Sequence, residues 1–263
     1  MSVPTVYIVG AGPGDPELIT VKGQRIIEEA DLILYTDSLV NPALFKHIKQ
    51  GAVVQKSAGM ALEEIVSFMV EAVKAGKNVA RVHTGDPTVY GAVLEQMRML
   101  HEQQIETEII PGVSSAFAAA ASAGLELTVP ELTQTVILTR AEGRTPMPDK
   151  EKLVDLARHQ CSTALFLSAA LIKKVVDAFF TAGWSADDAC VVVYKASWPD
   201  EKIVRTTLGN LHEDMRKNRI TKQAMVIISK AADERVLQSG KYQSKLYDKT
   251  FTHGYRKGVP SYE

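Results

Sequence analysis

The sequence predicts an α/β protein of two α/β domains, the first on a mostly parallel sheet and the second on a mixed sheet. Three observations carry this. Between residues 5 and 123, short β-branched runs alternate with segments of helical periodicity, the pattern of strands joined by crossover helices. Around residues 125–135 the alternation lapses into ELTVPELTQ, which reads as a connection to a second unit. Further on, two adjacent strand patterns flank SWPD, whose Pro199-Asp200 suits a reversal and so predicts an antiparallel hairpin. The expected division is a first domain over residues 1–130, a second over 131–235, and a polar, Tyr- and Lys-rich tail over 236–263.

In the first domain the strand patterns cover residues 5–9, 32–35, 52–55, 78–83 and 107–110, and the helical patterns 21–30, 42–48, 62–75, 89–101 and 113–123. The helix over 62–75 is the clearest. Leu62, Ile65, Val66, Met69, Val70 and Val73 make one apolar face, and Gly76 follows as a stop. The second domain opens with a strand over 136–139 and a Pro- and charge-rich loop, AEGRTPMPDKEK. A strand over 164–167, a helix over 169–182, the hairpin strands 189–194 and 202–206, a helix over 208–217 and a strand over 224–229 complete it.

Composition narrows the function classes. With 263 residues the chain is long enough to bury a substantial core. A hydrophobic content of 46%, a charged content of 23% and a net charge of −1 show no basic stripe, so nucleic acid is not an expected partner. The longest run of small apolar residues, AFAAAASAG over 116–124, falls well short of the ~20 residues that span a bilayer, so no membrane is expected. Two cysteines, Cys161 and Cys190, without a CxxC pattern, predict inert thiols in a reduced, cytoplasmic compartment. The six histidines are scattered and no Cys/His cluster has ligand spacing, so no metal site is expected.

Ligands of open α/β sheets sit beyond the carboxyl ends of the strands. Here those ends read GAGPGD, TDSLVNP, KSAG, HTGDPTVYG and PGVSS. Five strand ends in succession, all rich in Gly, Pro, Ser and Asp, point to one site built from all of them. GAGPGD is a partial dinucleotide fingerprint, and Asp37 lies near the distance expected of a ribose-binding acid. Two departures weigh against that reading. Asp15 stands where the third glycine belongs, and Pro13 and Pro16 remove N–H donors that a pyrophosphate needs. A nucleotide-dependent oxidoreductase therefore stands as the alternative of a different class. Asp86-Pro87 in GDPTVYG also suits a simple turn, but its occurrence beside GAGPGD is distinctive.

In order along the chain, VYIVGAGPGDPELIT, ADLILYTDSLVNP, HTGDPTVYG, PGVSSAFAAAA, VVYKASWPDEKIVRTTL and TKQAMVII resemble the tetrapyrrole (corrin and porphyrin) methyltransferases, and the resemblance covers nearly the whole chain. It implies the tetrapyrrole methylase fold, with an active-site cleft between its two domains. It also implies S-adenosylmethionine as cofactor, a tetrapyrrole substrate and a homodimer. Within the family, ILTRAEGRTPMP is similar to the branch that methylates carbon 11 of precorrin-4 or its cobalt form.

Position by position, the resemblance implies cofactor contacts at Pro13, at Thr84, Gly85, Asp86 and Val89, and at Ser114 and Ser115. In the second half it implies Leu167 or Ser168, Ala196 and Ala224, where ordinary strand packing is the alternative for the two alanines. Small residues, hydroxyls and backbone amides suit an adenosine and a methionine tail, which carry no phosphate. The family's proton acceptor and proton donor fall on Asp37 and Lys56, although Thr36 interrupts the family's Tyr-Asp pair. A surface carboxylate and a solvated lysine are the alternatives. Arg140 and Arg144 are the candidates for binding substrate carboxylates, against a solvated loop with salt links to Glu142 and Asp149. Asp15 acts either at the loop-to-helix junction or toward the substrate.

Overall fold

A fully buried β-branched run needs helices over both faces of its sheet, and the central strands of the first unit meet that condition. The computed structural model describes residues 5–36 and 38–259. Strands β1 (Val6–Gly10), β2 (Leu32–Tyr35), β3 (Val53–Lys56), β4 (Val79–His83) and β5 (Thr107–Ile110) form one sheet in the order β3-β2-β4-β1-β5. Every pairing in it is parallel. β2 and β4 are buried at every residue, whereas the edge strands β3 and β5 are partly exposed. One core, with Val9, Ile27, Ile33 and Val82, lies against one face, and a second, with Val6, Leu34, Val66, Met69 and Leu100, lies against the other.

Helices α1 (Val21–Glu29), α2 (Leu62–Lys74), α3 (Val93–Glu102) and α4 (Ser115–Ser122) follow β1, β3, β4 and β5. Local chemistry fixes their starts. The Thr20 hydroxyl accepts from Gly23 N at 3.2 Å ahead of α1, and Glu64 accepts from Ala61 N at 2.7 Å ahead of α2. Two expected helices of the first unit depart most from their patterns. Residues 42–48 make only the 3-10 turn Pro42–Phe45, started by the Asn41 side chain accepting from Ala43 N at 3.0 Å. Helix α3 begins four residues after the expected position 89, because residues 87–90 form a turn and Tyr90 and Ala92 take left-handed backbone.

The second sheet joins β6 (Val136–Arg140), β7 (Ser162–Phe166), β8 (Ala189–Tyr194), β9 (Lys202–Thr207) and β10 (Ala224–Ile228) in the order β6-β7-β10-β8-β9. Only β6 and β7 run parallel, so this sheet is mixed, and β8 and β9 form the antiparallel pair expected around SWPD. Helices α5 (Leu153–Ala157), α6 (Ile172–Thr181), α7 (Leu211–Lys217) and α8 (Glu234–Ser239) accompany it. The sequence pattern did not announce α5, which at five residues is too short to display a period. The rings of Phe179 and Trp184 pack at a tilt, centroids 5.2 Å apart, in the core of this unit, and the Trp184 indole N–H donates to Ala157 O at 2.8 Å.

The chain divides into two compact units. The first comprises residues up to Ala119 together with Lys195–Glu201, and the second comprises Ala120–Tyr194 with the chain from Lys202 onward. The ELTVPELTQ segment therefore belongs to the second unit. No helix among the described residues is long and apolar enough to cross a membrane.

Phe179 is fully buried, so Phe179→Ala should lower unfolding stability by about 3–5 kcal/mol. Urea denaturation followed by Trp184 fluorescence, in a Trp198→Phe background, measures it.

Candidate active site

The loops after β1, β4 and β5 touch through their backbones. Ala11 N donates to His83 O at 2.8 Å, and Gly12 and Gly85 exchange N–H···O bonds at 3.3 and 2.8 Å. Gly112 N donates to the Asp86 carboxylate at 3.0 Å. A Cβ on Gly10 would stand 2.6 Å from Gly112 N and 2.7 Å from Gly85 O, and one on Gly112 would overlap Gly85 O. These glycines are required for loop-to-loop contact. The amides of Ala11, Gly12, Gly85 and Gly112, with that of Asp15 (bonded to the Ser197 hydroxyl at 2.9 Å), are already satisfied. A phosphate cradle needs such amides unpaired and converging on the ligand, so this loop is not built for a pyrophosphate.

Asp86 is the clasp of this arrangement. One carboxylate oxygen accepts from Thr88 N at 2.8 Å and from the Thr88 hydroxyl, and the other accepts from Gly112 N. Burial raises the Asp86 pKa, but the bonds from Thr88 and Gly112 outweigh it and hold the carboxyl below its ordinary value.

Residues 195–201, the turn between β8 and β9, close the glycine loop of the first unit. The Trp198 indole N–H donates to Pro13 O at 2.9 Å, and its ring occupies the space a Cβ on Gly14 would need. The Asn41 side-chain amide donates to Gly14 O at 2.9 Å. Lys195 and Ser197 take left-handed backbone within this turn. Asp15 accepts from Glu17 N at 2.9 Å and starts the 3-10 turn Pro16–Leu18, so of its two expected roles it fills the one at the junction.

Beneath the loops, β4 carries two buried polar side chains on one face, Arg81 and His83. Arg81 Nε donates to Gln96 at 3.0 Å, and Nη1 donates to the Ser57 hydroxyl at 2.8 Å and to Leu34 O at 3.2 Å. All three partners are neutral. Burial lowers its pKa to about 10, so the guanidinium stays charged at neutral pH. His83 is only 6% exposed, and its Nε2 has no hydrogen-bond partner among the described residues. Burial first, and then the Arg81 charge, push its pKa down from 6.5 to about 3.

The remaining expected residues fall as follows. Pro13 is buried, and Thr84 and Val89 are half-buried at the same strand ends. The buried Ser114 hydroxyl accepts from Ala116 N at 3.4 Å, and Ser115 opens α4. Lys56 ends β3 and is exposed, and Asp37 lies outside the described residues. Ala196 is buried within the 195–201 turn. In the second unit, Leu167 is 71% exposed with φ of 52°, a backbone conformation that a bulky residue rarely adopts without cause. Its neighbour Ser168 is buried, donating to Phe166 O at 2.6 Å and accepting from Ala141 N at 2.8 Å. Ala224 opens β10 opposite Tyr194. Arg140 donates to the carbonyls of Thr145 and Pro146 at 3.3 and 3.0 Å and so shapes its own loop. Glu142 pairs with Lys152 and Lys174, not with either arginine as the alternative reading had it. Arg144 is exposed. Sequence reasoning missed Trp198, Ser197, Asn41 and Arg81. The tryptophan in SWPD was the only visible signal, since a turn otherwise rich in polar residues has no need of an indole.

His83 makes the fold sensitive to acid. Between pH 6.5 and about 3 the unfolded chain binds a proton at His83 that the folded chain does not. The stabilisation from this group is complete above pH 6.5 and is lost as pH falls toward 3, at up to about 1.4 kcal/mol per pH unit. His83→Phe should flatten the acid limb of stability against pH in urea titrations, and an unchanged slope would refute the assignment.

The family model of the Tetrapyrrole (Corrin/Porphyrin) Methylases matches residues 5–212. A cobalt-precorrin-4 C(11)-methyltransferase of Priestia megaterium is 60% identical over 97% of this chain and 99% of its own length. The X-ray structure of a cobalt precorrin-4 methyltransferase matches with a TM-score of 0.85 and 59% identity, over 87% of this chain and 96% of that one. A uroporphyrin-III C-methyltransferase from Thermus thermophilus, complexed with S-adenyl homocysteine, matches with a TM-score of 0.74 and 28% identity, over 88% of this chain and 99% of that one. Sheet order, strand-end loops and these likenesses agree, and the chain belongs to the tetrapyrrole (corrin/porphyrin) methylases.

Proposed function

We propose that this methyltransferase transfers a methyl group from S-adenosylmethionine to carbon 11 of cobalt-precorrin-4, giving cobalt-precorrin-5 in cobalamin biosynthesis. The observation that carries the reading is the likeness, over nearly the whole of both chains, to the Priestia megaterium enzyme named for that reaction. A glycine loop whose amides are already closed on neighbouring loops supports a cofactor without phosphates. We further propose a cytoplasmic homodimer. Two buried free thiols fit a reduced compartment, and the dimer rests on the family resemblance alone.

S-adenosylmethionine supplies an electrophilic methyl group on a sulfonium. The chain's task is to hold the methyl group and the electron-rich ring carbon in line and to keep water out. Pro13, Thr84, Gly85, Val89, Ser114 and Ser115, with Ala196, Leu167 and Ala224, would contact the cofactor through small groups, hydroxyls and apolar walls. Asp86 would act by fixing the loops, since its acceptors are taken up by Thr88 and Gly112. Asp37 would take the proton that leaves the ring system, and Lys56 would return one. Arg144 would meet a substrate carboxylate, from a loop that Arg140 shapes.

Incubation with methyl-labelled S-adenosylmethionine and a precorrin-4-forming enzyme mixture should put the label on carbon 11. Label on another ring carbon would move the enzyme to a sister branch. In thermal shift, S-adenosylhomocysteine should raise the melting temperature and NADH should not. Asp37→Ala should lower turnover about 10²- to 10⁴-fold without weakening S-adenosylhomocysteine binding. Unchanged turnover would sink its role as base. Arg144→Glu should raise the Michaelis constant for the tetrapyrrole and leave cofactor affinity intact, whereas equal loss of both would point to misfolding.

A further inference from the structure

We propose that Arg81 and His83 form a carboxylate seat at the carboxyl end of β4, in which His83 Nε2–H donates to a carboxylate of a bound ligand beside the Arg81 guanidinium. The proposal deepens the methyl-transfer reading, on which it rests for the identity of the ligands.

Among the described residues, the folded chain leaves two buried polar groups of β4 without full compensation. A buried ring nitrogen without a partner costs about 1–3 kcal/mol, and native structures retain such a group where something else completes it. His83 Nε2 is such a group, and it sits directly ahead of Thr84, Gly85 and Asp86 at the strand end. Arg81 adds a second deficit of the opposite kind. A buried cation is ordinarily matched by a carboxylate, and here its partners are an amide oxygen, a hydroxyl and a carbonyl.

The two side chains share a face and converge in height. Successive strand residues alternate, so positions 81 and 83 project to the same side of the sheet. Ser57, which receives the Arg81 bond, follows immediately after β3. The guanidinium therefore reaches from within β4 toward the strand ends, where His83 lies. In the tautomer with its proton on Nε2, a neutral imidazole beside a guanidinium whose partners among the described residues are all neutral matches one ligand chemistry, the carboxylate. An ammonium or a sulfonium would be repelled by Arg81. Two carboxylates are available in the proposed reaction, an acetate or propionate arm of the macrocycle and the methionine end of the cofactor.

The test compares wild type with His83→Phe and His83→Gln in three measurements: calorimetric affinity for S-adenosylhomocysteine, the Michaelis constant for cobalt-precorrin-4, and the melting temperature without ligand. His83→Phe removes the unpaired nitrogen, so the ligand-free melting temperature should hold or rise. Affinity for the ligand seated there should fall about 10- to 100-fold, the range for a bond to a charged group. His83→Gln, which keeps a donor, should recover most of that loss. A fall in S-adenosylhomocysteine affinity assigns the seat to the methionine carboxylate. A raised Michaelis constant at unchanged S-adenosylhomocysteine affinity assigns it to the macrocycle. If neither changes, or if the affinity falls and the Michaelis constant rises together with a lowered melting temperature, the seat does not exist. A wild type that binds neither ligand would instead strike the assigned reaction, so the two failures remain distinct.

Discussion

The contact of three backbones at Gly10, Gly85 and Gly112 is the constraint from which the site follows. Without side chains there, the loops after β1, β4 and β5 come close enough to exchange hydrogen bonds directly. A single methyl at Gly10 or Gly112 would separate them, and the bonds at Ala11, Gly12 and Gly85 and the reach of Asp86 to Gly112 would be strained together. The rest is arranged around that contact. Trp198 stands on the next glycine of the first loop, Asn41 holds that glycine's carbonyl, and Thr88 anchors the clasp.

This economy explains how one short glycine motif serves two ligand classes in different proteins. Where the amides stay free at a helix start, the motif draws in a phosphate. Here those of Ala11, Gly12 and Asp15 are turned sideways into neighbouring segments, and Pro13 has none to offer. The charged groups left beneath it are few. A protein of net charge −1 cannot attract an anionic ligand by its overall field, so recognition of one would fall to individual cations.

Much of this was readable from residue order. β2 and β8 have the bounds their hydrophobic runs predict, because strands buried in a sheet are written as contiguous apolar segments. The strand-end loops were legible as a group because their Gly, Pro and Asp content recurs. Three things were not. The start of α3 depends on left-handed Tyr90 and Ala92, a backbone that the propensity of neither residue favours. The partnership of Trp198 with Pro13 spans 185 residues, and periodicity carries no information at that range. The isolation of His83 is a property of its neighbours, visible only once β1, β2 and α3 are in place.

The excursion of residues 195–201 has a topological consequence. The polypeptide builds its first unit, leaves it near Ala119, and returns seventy-odd residues later to deliver an indole before leaving again. No single cut separates such a chain into two self-sufficient halves. A fragment ending at Ala119 would keep its whole parallel sheet and still lack the side chain that holds Pro13. During synthesis on the ribosome the same order applies, and the glycine loop stays unfinished until the second unit's β8 has emerged. The site is therefore completed late, although its motif is among the first residues made.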